Sequence, residues 1–165
     1  LRSKGTFLRL YSYLPLIVLF ISVLNEFDLN YLNLDYFSFN FPFILIFFFT
    51  LKEFKNLDYF FIFIAGLIND TVVGLPLGIS SLSYILICIA TSYFRNITIR
   101  PSPIKDWFYF FFVISLINSI NYSILTLFFS FNLVLLSYLV NTFFTFLFYI
   151  VFVSIFKYYL KSLND

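Results

Sequence analysis

This chain has little of what makes a protein face water. Of its 165 residues only 11% are charged, ten Lys or Arg against eight Asp or Glu, where an ordinary globular domain has roughly a quarter. It has no His and a single Cys, Cys88. Those absences remove an internal disulfide, a His-based zinc site and every His-dependent triad. Cys88 lies in an apolar run, where a free thiol behaves as a small buried hydrophobe. Met is absent too, and position 1 is Leu, which points to a non-standard start codon or a trimmed start. No glycine-rich loop precedes a Lys, and no acidic pair has metal-ligand spacing. A non-enzymatic protein without metal or cofactor is the expectation, and nucleic acid is not an expected partner.

What is present is apolar. Hydrophobic residues make up 62% of the chain and aromatics 25%, with 28 Phe and 13 Tyr. The Phe, Ile, Tyr and Asn content fits an AT-rich genome, so the aromatic count carries little functional weight. Such a chain cannot cover its own surface with polar groups, and the expected class is an all-α polytopic membrane protein. A spanning helix takes roughly 20 residues, so six would take roughly 120 and leave about 45 for connections and tails. Six segments are read along the chain as one integral domain over 1–165, with helices at about 10–24, 36–51, 57–74, 78–94, 107–129 and 133–156. The first follows Arg2, Lys4 and Arg9, but no small-x-small cleavage site follows it, so an uncleaved helix is expected rather than a signal peptide.

Charge placement predicts sidedness. With six crossings, Arg2, Lys4, Arg9, Lys52, Lys55, Arg95, Arg100, Lys105, Lys157 and Lys161 all fall on one side. Glu26, Asp28, Asp35 and Asp70 fall on the other. The positive-inside rule then puts both termini in the cytoplasm. Tyr11, Tyr13, Tyr36, Tyr59, Tyr93, Trp107, Tyr109, Tyr158 and Tyr159 stand near helix ends, as in an aromatic belt among membrane lipids.

The richest local feature is GLINDTVVGLPLG, Gly66 to Gly78. Asp70, with Asn69 beside it, is an ionisable group where an apolar chain has least reason to put one. Either it marks a helix end among headgroups, or it organises a polar contact in the bundle or with a partner. Gly74, Pro76 and Gly78 make a tight turn into the next helix, and Gly66 clears a packing surface. Asn118 and Asn121, three apart on one face, and Asn141 in the last helix read as polar packing between helices. A solute site would need those amides to converge.

The stretch 57–100 resembles the rod-shape-determining MreD family of bacterial membrane proteins. Gly66, Leu67 and Asp70 match its Gly-Leu-x-x-Asp helix end, and Gly74, Pro76, Leu77 and Gly78 match its Gly-x-Pro-Leu-Gly opening; Arg95 falls in the basic exit. The chain departs in its wealth of Phe and in Asn69. The resemblance implies an inner-membrane, multi-pass subunit of the cell-wall elongation machinery (the elongasome), maintaining rod cell shape and regulating peptidoglycan synthesis. Its implied partners are an MreC-like periplasmic scaffold, an MreB-like actin homologue, a SEDS glycan polymerase and a class B penicillin-binding protein. The implied fold is that of the six-helix substrate-binding subunit of energy-coupling-factor transporters. The alternative function is such a subunit, binding a vitamin.

Overall fold

The computed structural model describes residues 13–24, 38–54, 57–98 and 102–164, with side chains as far as 161. It is all-α, with six helices among the described residues: α1 (Leu14–Leu24), α2 (Phe41–Leu51), α3 (Tyr59–Val73), α4 (Ile79–Ile97), α5 (Pro103–Phe129) and α6 (Leu135–Asn164).

Local chemistry places the ends. The Asn40 side chain accepts from the Phe43 N–H at 3.3 Å, and Pro42 occupies the first turn, where a missing N–H is harmless. That cap starts α2 at Phe41, five residues beyond the expected 36. Pro103, in the first turn, starts α5 without a side-chain cap from Ser102, ahead of the expected 107. At the chain's far end, α6 runs through Lys157 and Lys161 instead of stopping at 156. Lys is a good helix former, and only a membrane boundary would have ended the helix there.

The core is built around α2. Its nine residues from Phe41 to Phe49 are all buried, as expected of a helix apolar on every face. It packs against α1, α4 and α6, while α3 packs on α1 and α4, and α5 on α4 and α6. The contacts are largely aromatic. Phe47 meets Phe110 at 4.9 Å and Tyr149 at 5.7 Å, Phe43 meets Tyr84 edge-on at 5.9 Å, and Phe49 meets Phe156 at 5.2 Å. Aromatic pairs of this kind contribute roughly 0.5–1.5 kcal/mol beyond burial. The aromatic share therefore has a structural use that composition alone did not reveal.

The six-span expectation is corrected by helix length and composition. With 11, 11 and 15 residues, α1, α2 and α3 are too short; at about 1.5 Å per residue they reach roughly 16 to 23 Å, against about 30 Å of hydrocarbon. The 19 residues of α4 include Ser80, Ser81, Ser83, Thr91, Ser92, Arg95 and Asn96. Only two helices among the described residues, α5 and α6, are long and apolar enough to cross a membrane. Their outer faces are apolar, with Phe112 60% and Phe128 78% exposed. The inner-membrane placement with both termini inside rested on six crossings and falls with them. Of the charges behind it, Arg2, Lys4, Arg9, Glu26, Asp28, Asp35, Lys55 and Arg100 lie outside the described residues.

The aromatic-belt expectation changes as well. The Trp107 Nε1–H donates to the Phe146 carbonyl at 3.0 Å, with the two rings stacked at 4.3 Å. The Tyr109 hydroxyl donates to the Ala90 carbonyl at 2.9 Å while its ring stacks on Phe94. Tyr159 is buried. These rings hold helices together, whereas Tyr11 and Tyr36 lie outside the described residues.

Candidate functional site: a neutral polar cavity beside the α3–α4 hairpin

The hairpin between α3 and α4 is closed by Asp70. The N–H groups of Gly74 and Leu75 both return to the Asp70 carbonyl, the latter at 2.9 Å. Gly74 takes φ +74 to make that turn, a conformation that costs an L side chain about 1 kcal/mol or more. The Asp70 carboxylate then crosses the turn. Its Oδ2 accepts from the Gly78 N–H at 2.7 Å, and its Oδ1 accepts from the Ser80 N–H at 2.9 Å. Both are donors at the start of α4 that the helix itself leaves unpaired, and a negative charge there is favoured by the helix dipole. Pro76 sits inside the turn, and Gly78, at φ +103, is the residue before α4. Asp70 is 0% exposed, so its carboxylate works within the hairpin.

Gly66 lets the two helices touch. A Cβ there would stand 2.5 Å from the Ser81 backbone nitrogen and 2.8 Å from its hydroxyl oxygen. The approach also lets the Ser81 hydroxyl donate to the Phe63 carbonyl at 2.9 Å. Next to the hairpin, Tyr84 is buried to 1% and its hydroxyl has no hydrogen-bond partner among the described residues. Burial, and the Asp70 charge after it, push that hydroxyl above the usual tyrosine range.

A cavity of about 460 Å³ opens beside this hairpin. Its walls come from the end of α1, the start of α2, the hairpin, the second half of α5 and the start of α6. Asn69, Asn118, Asn121 and Asn141 all line it, together with Asn40, Ser22, Ser38, Ser80, Ser83 and Ser137. The apolar part includes Phe39, Phe41, Phe43, Ile79 and Leu125. No charged side chain lines it among the described residues. The size and the mixture of apolar wall with a few polar groups are those of a small-molecule pocket.

The amides that were expected as separate packing contacts therefore meet in one place. Each also bonds across a helix boundary. The Asn69 Nδ2 donates to Ser80 Oγ at 2.8 Å, Asn118 Nδ2 to Thr142 Oγ1 at 2.7 Å, and Asn141 Nδ2 to Ser38 Oγ at 2.9 Å. Asn121 faces the Ser83 hydroxyl at 2.9 Å. By contrast, Gly66, Asp70, Gly74, Pro76 and Gly78 shape the hairpin and do not line the cavity. Ser119 and Ser123, on the outside of α5, donate to carbonyls of their own helix. Sequence reading missed Ser22, Ser38 and Asn40 as part of the wall. The Asn-Phe-Pro triplet at 40–42 was the available signal, since it marks a helix start and so fixes which residues precede it.

Cys88 is buried, and the Thr50 hydroxyl donates to its sulfur at 3.7 Å. Burial pushes the thiol up to about 11, so it is inert at neutral pH. No group of three metal-ligating side chains comes together among the described residues.

No family model matches the chain, and no curated protein or solved structure does so. Together with the helix lengths, this corrects the functional expectation. A cell-wall elongation subunit governing rod shape and peptidoglycan synthesis, implied by the resemblance of 57–100, or the vitamin-binding subunit of a transporter, has a six-span membrane fold as its premise. With two helices of spanning length among those described, that premise is gone.

Proposed function

We propose that this protein binds a small, uncharged polar molecule in the cavity beside the α3–α4 hairpin. The observation that carries the reading is the convergence of Asn69, Asn118, Asn121 and Asn141, from three helices, on one space with no charged lining residue among those described. Amides are costly to bury unpaired and cheap to bury when a ligand or water satisfies them. A bundle needing only adhesion would scatter such pairs along its seams. The role is binding, with the ligand held by hydrogen bonds and by the Phe39–Phe43 wall.

The test is thermal unfolding of the purified chain against uncharged polar solutes up to monosaccharide size. A ligand that binds the folded state alone raises Tm with its concentration, by about 2.7 kcal/mol of stability at a hundredfold excess over Kd. Val73→Trp, at the exposed edge of the cavity, should fold with unchanged helical signal and lose the shift. If no solute raises Tm, or if the shift persists in Val73→Trp, the cavity is not a binding site.

Kinship of 57–100 with the MreD family stands as a separate proposal. Its support is that Gly66, Asp70, Gly74, Pro76 and Gly78 act as one structural unit, each answering a need of the hairpin. Purifying the chain and looking for a coiled-coil scaffold among copurifying proteins tests it. The same motif serving only as a turn would leave no such partner.

A further inference from the structure

The hydrogen bonds around the cavity bear on the class of its ligand, an inference that rests on the binding role proposed above. A serine or threonine hydroxyl has one proton to give and two lone pairs to accept with. At Thr142 that proton goes back to the Tyr138 carbonyl at 2.8 Å, so the oxygen is left to accept the Asn118 amide N–H at 2.7 Å. Ser83 is different: its Oγ is 2.8 Å from the Ile79 carbonyl, four residues back, and 2.9 Å from the Asn121 Oδ1. An amide's nitrogen and oxygen are told apart by their hydrogen bonds. The Asn121 group facing Ser83 is its carbonyl oxygen, which accepts from the hydroxyl, whereas Asn118 is anchored through its nitrogen. Asn69 and Asn141 are likewise anchored through nitrogen, to Ser80 and Ser38.

Asn69, Asn118 and Asn141 are thus held by their nitrogens, and each has its carbonyl oxygen without a protein partner among the described residues, whereas the Asn121 oxygen takes the Ser83 hydroxyl. Three such oxygens around one space favour hydrogen-bond donors and repel anions. Of the helix starts that border the cavity, that of α4 is occupied by Asp70 through the Gly78 and Ser80 N–H groups, and at that of α2 the Phe43 N–H is taken by the Asn40 side chain.

We propose that the cavity selects a neutral molecule rich in O–H or N–H donors, received by the carbonyl oxygens of Asn69, Asn118 and Asn141. Two sources share that chemistry, a polyol and a cyclic amide, and the experiment separates them. Equilibrium binding is measured by calorimetry on the purified chain with four probes: sorbitol, gluconate, uracil and 1,3-dimethyluracil. Gluconate keeps a polyol skeleton but adds a carboxylate, while dimethylation deletes both N–H donors of uracil. The expected result is binding of sorbitol or uracil, at least tenfold weakening for its gluconate or dimethyl counterpart, and at least tenfold weakening in Asn118→Leu. Asn118→Asp should instead weaken anions further and keep the neutral donor.

Equal binding of a counterpart, or binding untouched by both Asn118 variants, overturns the donor-selective cavity while leaving a binding role in place. No binding by any of the four overturns the proposed ligand class; the wider thermal screen and Val73→Trp decide the binding role independently. Loss of folding in Asn118→Leu, seen as lost helical signal, moves the reading to Asn141→Leu on α6, with the same two outcomes.

Discussion

The two ends of the bundle solve opposite problems with different chemistry. At the hairpin end, one charge is wholly buried and every neighbour answers it: Asp70 lies among backbone N–H donors, and neutral amides line the cavity beyond. At the other end, charges stay near solvent. Arg95 donates to the Thr50 carbonyl at 2.9 Å, at the end of α2, and pairs with Glu53 at 3.1 Å, although Glu53 is 69% exposed. Asp106, half-buried, faces Lys52 and Lys157. Exposed pairs contribute roughly 0–1 kcal/mol, whereas a buried carboxylate that satisfies helix-end donors leaves a large deficit when removed. The lesson is that Asp70 and the glycines around it bear more on this fold than the basic residues do, although the basic residues are the more numerous.

The sharpest way to break that contrast is Asp70→Ala. It strands the Gly78 and Ser80 N–H groups, the second of them buried, and should destabilise by about 3 kcal/mol in urea unfolding. A loss under about 1 kcal/mol, the scale of an exposed pair, would put the two ends on an equal footing. Next comes Gly66→Ala, which drives a methyl into the Ser81 backbone and should cost about 2 kcal/mol by forcing α3 and α4 apart. The same measurement reads it, and an unchanged midpoint would mean the helices separate freely. Tyr84→Phe should go the other way. Deleting a buried hydroxyl that has no partner should stabilise by about 1 kcal/mol, visible as a raised Tm; a clear loss would reveal that the hydroxyl is held after all.

The smallest effect belongs to the charged end and depends on pH. Burial holds the Asp106 carboxyl above its ordinary 3.8, with Lys52 and Lys157 pulling it partly back. A carboxyl whose folded pKa lies above its unfolded one adds stability below the unfolded value and loses it as pH rises through the folded value. Asp106→Asn should therefore match the parent at about pH 3 and become the more stable of the two as pH rises above about 4. Parallel stability curves across that range would show that the carboxyl titrates alike in both states.

Much of the local structure was legible beforehand, for stateable reasons. Gly74 and Gly78 stand where the chain needs positive φ, Pro76 lies between them, and Asp70 precedes the turn at capping distance, so the hairpin could be read as a unit. Apolar runs separated by short polar breaks marked the six segments, with ends that moved by as many as eight residues. Where boundaries moved, the cause was a rule that had been outvoted: the Asn40 cap and Pro42 start α2 late, and Lys157 does not stop α6. The cavity was not legible. Asn118 and Asn121 could be put on one helix face from their spacing, but Asn69 and Asn141 belong to other helices, and spacing says nothing about which faces meet.

The number of membrane crossings was the costlier misreading. Hydropathy counts how apolar a segment is, and α2 is as apolar as any. It cannot distinguish a helix surrounded by lipid from one surrounded by Phe110, Tyr149 and Phe156 of its own chain. The sequence by itself determined the six helical segments and the Asp70 hairpin, because caps, turns and glycine conformations depend on neighbours a few residues away. Only the tertiary structure decided that eleven-residue α2 is the buried centre and that four amides share one cavity. Those facts depend on contacts between residues far apart in the chain, which no local pattern encodes.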